Sequence, residues 1–152
     1  MKINVVLNVV GRLLILIGFT MIVPFFVALY YGEPTQPFAV SSVVTIIVGT
    51  MFLFLFKPQG EWKQREAFAI VAFGWVSVVL FGTIPYLFYD IGFVDSLFES
   101  MSGFTATGST VLVGIESYPR GLLFWRSMTQ WLGGMGIIVL FISILPKLEV
   151  GG

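Results

Sequence analysis

An all-helical membrane protein is the fold class the sequence predicts, and three observations predict it. The 152 residues are 57% hydrophobic and 11% charged, with a mean hydropathy of +0.98, whereas soluble domains carry about 25% charged residues. Four apolar stretches, Val5–Tyr30, Phe38–Phe56, Ala67–Tyr89 and Leu122–Leu145, each reach the ~17–25 residues a transmembrane helix needs. Between the third and the fourth lies a segment of helical periodicity too short to cross, followed by a charge-free run of small residues. The expected architecture is four transmembrane helices plus a re-entrant helix and an extended loop.

Composition also excludes function classes. Eight Lys/Arg balance eight Asp/Glu, so no global basic field exists to hold nucleic acid. Without cysteine or histidine the chain lacks thiolate nucleophiles and ligands, and the commonest general base. The 17 glycines and 16 phenylalanines suit helices packed in lipid, where small residues allow close approach.

The first span follows Lys2 and is too long for a secretory signal's apolar region, so it reads as an uncleaved helix. Arg12 near its inner end reads as a side chain snorkelling to the interface. Pro24 in this span and Pro85 in the third are expected to bend their helices. With four spans, Lys2, Lys57, Lys63, Arg65 and Lys147 share one side and only Arg120 lies outside the spans on the other. The positive-inside rule then places both termini in the cytoplasm. Trp62 falls near the inner boundary, and Tyr30, Tyr31, Tyr86 and Tyr89 near the outer one, as an aromatic belt would.

In the outer connection, Val94, Leu97, Phe98, Met101 and Phe104 recur at helical spacing among Asp95, Ser96, Glu99, Ser100 and Ser102, which predicts a short amphipathic helix. Ser96 and Glu99 match a capping box, with Asp95 favourable at the same end. From Ser96 to Phe104 such a helix rises only ~14 Å, about half a bilayer. The run Thr105-Ala106-Thr107-Gly108-Ser109-Thr110 follows it. Non-helical backbone at membrane depth survives only where protein encloses it or where it lines a watery path. Gly108 can take a positive φ that turns successive carbonyls toward one axis, and the helix points its negative end at the same place. Carbonyl oxygens with hydroxyl or methyl side chains suit an alkali cation. The plain alternative is an amphipathic helix lying on the interface, followed by a Thr- and Gly-rich turn.

Phe98-Glu99-Ser100-Met101-Ser102-Gly103-Phe104-Thr105-Ala106-Thr107-Gly108-Ser109-Thr110, followed by Phe124-Trp125-Arg126-Ser127-Met128-Thr129-Gln130-Trp131-Leu132-Gly133-Gly134-Met135-Gly136-Ile137, resembles the Trk/Ktr/HKT potassium transporters, TrkH-type subunits in particular. The resemblance covers essentially the whole chain. It implies potassium uptake across the bacterial inner membrane through four consecutive helix–pore-loop–helix repeats in one polypeptide. It further implies homodimerisation and a cytosolic nucleotide-binding regulatory subunit of the TrkA type. Potassium would be the transported ion, held by the carbonyls of Thr105, Ala106, Thr107 and Gly108. Many relatives have Thr where this chain has Ala106, a departure expected to matter little to main-chain ligands. Residues 1–56 would be an N-terminal hairpin, 57–66 a cytoplasmic loop, 67–146 the first pore repeat and 147–152 a truncated end, so the chain is expected to be a fragment.

Arg126, one turn into the fourth span, reads as a snorkelling side chain, with pairing to Glu99 or Glu116 as the alternative. Gly133, Gly134 and Gly136, like Gly74 and Gly82, read as close-packing positions. Asp90, Asp95, Glu99 and Glu116 would concentrate cations at a pore mouth. They could otherwise be the acid/base pair of a membrane enzyme, but no nucleophile, metal site or phosphate loop accompanies them. A structural subunit of a membrane complex and a small homotetrameric cation channel are the remaining alternatives.

Overall fold

The computed structural model describes residues 2–58 and 64–149, and among them it is all-helical. Ile3–Tyr30, Gln36–Leu55 and Arg65–Tyr89 are long and apolar enough to cross a membrane. The last helix, α6 (Arg120–Glu149, 30 residues), covers the expected fourth span and rises about 45 Å. Trp62, Lys63 and the side chain of Lys147, used above for boundary and orientation, lie outside the described residues.

The first span consists of α1 (Ile3–Thr20) and α2 (Ile22–Tyr30), interrupted at Met21. Pro24 accounts for the break, because its ring removes the N–H that would bond the Thr20 carbonyl and crowds that same carbonyl. α3 (Gln36–Leu55) begins with Pro37 in its first turn, where the missing donor costs nothing. α1 packs along α3 through glycine: a Cβ on Gly11 would meet the Gly49 carbonyl oxygen at 2.7 Å. Backbone contact this close is what small residues allow between helices in lipid. Ser42 Oγ adds a bond across the hairpin to the Gly18 carbonyl (2.7 Å), and Asn8 Nδ2 donates to the Phe56 carbonyl (2.8 Å).

The third span departs from the continuous helix expected over Ala67–Tyr89. α4 (Gln64–Gly82) stops, and a 3-10 turn continues over Ile84–Tyr89. Pro85 again explains the change, since it cannot bond the Phe81 carbonyl and the chain tightens to avoid it. Tyr86 N–H accordingly bonds Thr83, one residue short of the helical partner. That frees the Gly82 carbonyl, which accepts Trp125 Nε1 from α6 at 3.1 Å. The tighter winding also turns Tyr86 inward, where it is fully buried. Tyr86 is therefore a core residue and not part of an aromatic belt, while Tyr30 and Tyr31 are exposed.

The short helix appears as α5 (Phe93–Phe104). Its N-cap lies four residues before the expected one: Gly92 occupies it, and Asp95 lies in the first turn. Ser96 and Glu99 form no capping box, because Ser96 Oγ bonds the Ile91 carbonyl and Glu99 turns away from the helix end. α5 packs against α6 and α4. In the connection between α2 and α3, both Glu33 oxygens accept backbone N–H groups at the start of α6, from Arg120 (2.7 Å) and Gly121 (2.9 Å). Helix-start donors have no partner within their own helix, so a carboxylate from the hairpin caps α6 and complements its dipole.

Candidate ion site

α5 is amphipathic in the sense opposite to that of a soluble protein. Its polar residues Ser96, Glu99, Ser100 and Ser102 are buried, while Val94, Phe98 and Met101 are exposed. A buried hydroxyl or carboxylate is costly unless bonded, and each of these four is bonded. Ser96 bonds Ile91, Ser100 Oγ donates to the Val79 carbonyl of α4 (2.7 Å), and Ser102 Oγ donates to the Ser109 carbonyl (2.6 Å). The polar face thus anchors α5 to its neighbours and holds the loop that follows.

That loop reverses direction at the end of α5 and runs back beside it. Ala106 N–H bonds the Gly103 carbonyl (2.9 Å) and Thr107 N–H the Ser102 carbonyl (3.1 Å). Thr105 Oγ1 donates to the Met101 carbonyl at 2.7 Å. The donors of the turn are directed at the helix end, which satisfies carbonyls left over there. Thr105, Ala106 and Thr107 present the converse: among the described residues, nothing donates to their carbonyl oxygens. Residues 105–110 are all exposed. Thr105 has φ −88, but Ala106 (φ 55) and Gly108 (φ 73) are left-handed. The left-handed residues break the helical progression of α5, so the peptide planes of the loop do not continue those of the helix.

Glu99 holds the outward arm. Its side chain is fully buried, and its oxygens accept from Thr110 Oγ1 (2.6 Å), Val111 N–H (2.8 Å) and Arg126 Nε (3.0 Å). Arg126 also donates from Nη2 to the Gly108 carbonyl at 3.1 Å. Arg126 therefore does not snorkel as its shallow depth suggested, because a buried carboxylate and a loop carbonyl lie within its reach and bind it more strongly than the interface. Glu116 takes no part in this pair. The sequence contained the signal: an acid on a short helix and a lone arginine in the facing span are two charges that lipid requires to meet.

Glycines set how closely the pieces approach. A Cβ on Gly133 of α6 would collide with the Phe104 backbone, and one on Gly103 with Thr129. A Cβ on Gly82 would meet Ser100 Oγ at 2.8 Å. The close-packing reading holds for Gly133 and Gly82, and Gly136 lies against Trp75, whereas Gly134 faces open space.

Residues 34–152 match the family model TrkH, described as a cation transport protein. The Trk system potassium uptake protein TrkH of Escherichia coli strain K12 is 43% identical over the whole of this chain, which covers 32% of that protein. The protein of the same name from Halomonas elongata is 38% identical over the whole chain, covering 33% of the relative. The Trk system potassium uptake protein TrkG of E. coli K12 is 34% identical over 99% of this chain and 32% of its own length. The chain thus spans about a third of the length of the curated relatives it matches.

Proposed function

The chain belongs to the TrkH family of cation transport proteins, and from that premise we propose that it supplies one wall of a potassium uptake pathway in the bacterial inner membrane. The family is one of transporters, so the outer acids are not the acid/base pair of an enzyme. In this reading residues 67–146 form the first of four helix–pore-loop–helix repeats, 1–56 are an accessory hairpin, and Thr105, Ala106, Thr107 and Gly108 contribute the carbonyls that replace water around potassium. Both termini of the segment face the cytoplasm. The full-length protein is a homodimer that works with a cytosolic nucleotide-binding subunit. The observation that carries the reading is the row of undonated carbonyls at Thr105–Thr107 on a loop whose turn donates its own N–H groups back to α5. An interfacial helix followed by a turn would have no use for a buried serine, Ser102, and a buried carboxylate, Glu99, dedicated to such a loop.

The test is ion preference. Gly108 has φ 73, and a Cβ added there would meet nothing within 4 Å, so a side chain at this position encounters backbone strain of about 1–2 kcal/mol and no clash. In the full-length transporter, Gly108→Ser should reach the membrane normally and lose about tenfold of its preference for potassium over sodium in rubidium-uptake competition. An unchanged preference would remove Gly108 from the filter.

A further inference from the structure

We propose that Glu99 and Arg126 are positioning residues for ion discrimination, acting as a neutral clamp on the outward arm of the loop; the proposal rests on the loop being a filter wall. The inner turn needs no such device, since backbone bonds to Ser102 and Gly103 fix it. From Gly108 to Val111 the bonding changes character: Ser102 holds Ser109, and among the described residues every other hydrogen bond between the arm and a helix ends on Glu99 or Arg126. Glu99 grips Thr110 and Val111 from α5, and Arg126 grips Gly108 from α6 while pairing with Glu99. One planar guanidinium reaches carboxylate and carbonyl together, which a lysine ammonium on a flexible stem does poorly. Three elements are thereby locked to one height along the ion path. Discrimination between potassium and sodium depends on where the carbonyls are held, so the clamp acts on preference through the loop and not by touching the ion.

Charge makes the clamp testable apart from mere structure. Arg126 donates to a loop carbonyl and would repel a cation there, but Glu99 cancels that charge at 3.0 Å. Removing the acid leaves a positive group on the loop, and removing the base leaves a negative one, so the two variants shift cation affinity in opposite directions.

The experiment is rubidium uptake by the full-length transporter in cells lacking other potassium uptake, with sodium as competitor and membrane abundance measured in parallel. Glu99→Gln should raise KM about tenfold or more, the scale of a lost charged hydrogen bond. Arg126→Gln should lower KM, while preference for potassium over sodium falls about tenfold. Arg126→Lys should keep KM and lose part of the preference, and Glu116→Gln, exposed and outside the clamp, should change neither. Variants that reach the membrane with wild-type KM and preference would overturn the proposal. So would parallel KM shifts in Glu99→Gln and Arg126→Gln, or the absence of all three clamp variants from the membrane, which would make the pair a folding element. Absence of saturable uptake by the unsubstituted protein would instead sink the pore reading beneath it.

Discussion

Ala106 shows how a position can matter when its side chain touches nothing. Its φ of 55 lies where an L-residue with a Cβ costs about 1–2 kcal/mol and a β-branched one is a genuine outlier. The sequence suggested that alanine in place of threonine matters little because the ligands are main-chain oxygens. The backbone hand adds a second consideration, for alanine bears this conformation better than threonine. Ala106→Gly should therefore retain uptake and preference, with thermal stability in detergent equal to or slightly above that of the parent. Ala106→Val should lose preference at normal membrane abundance, and equal behaviour of the two variants would mean that the left-handed turn is not maintained in the working protein. Gly108 was legible from its type alone, as the sole glycine in a small-residue run. Glu99 and Arg126 were harder, because Ser-x-x-Glu also spells a helix cap and an arginine one turn from an interface ordinarily reaches for water.

Short helices and breaks position the loop, and prolines write the breaks. Pro24 and Pro85 were visible as bends, but the sequence did not show that a 3-10 turn would bury Tyr86 and free the Gly82 carbonyl for Trp125. That outcome depends on which neighbour can use the released acceptor, a property of packing and not of local sequence. The periodicity of α5 was equally plain, yet its orientation ran against soluble intuition: the serine face is the buried one. In lipid the apolar face has no need of a protein core, so polar side chains gather where partners exist. Approach of α6 to α5 rests on Gly133, where a Cβ would enter the Phe104 backbone, while the adjacent Gly134 has nothing within 4 Å. Gly133→Ala should lower melting temperature in detergent and reduce uptake, with overpacking costing about 1–3 kcal/mol. Gly134→Ala should be neutral or slightly stabilising through helix propensity. The same loss from both would mean that the α5–α6 contact is not what these glycines serve.

The molecule as a whole presents two kinds of surface, lipid-length apolar helices and a polar loop at one end held by α5 and α6, the start of α6 being capped in turn by the hairpin's Glu33. The helical class could be read from hydropathy because apolar runs of this length have few other uses, and three of the four expected spans are long and apolar enough to cross a membrane among the described residues. The way the hairpin caps α6 through Glu33 could not, since the two lie 87 residues or more apart. The charge asymmetry predicts an orientation that labelling can test: cysteines placed at Gln36 or Glu116 should react with an impermeant thiol reagent added to intact cells, and one at Gln59 should not. The reverse pattern would put the loop on the cytoplasmic side. One loop offers one wall, and a dehydrated potassium ion needs oxygens from all around it, so the claim belongs to the full-length protein. Its most direct measurement is anomalous diffraction from crystals of that protein grown with rubidium. A rubidium peak should lie on the axis of the assembled pore, in contact with the carbonyl oxygens of Thr105, Ala106 and Thr107. An empty loop, with rubidium bound by the outer carboxylates or elsewhere along the path, would contradict the account.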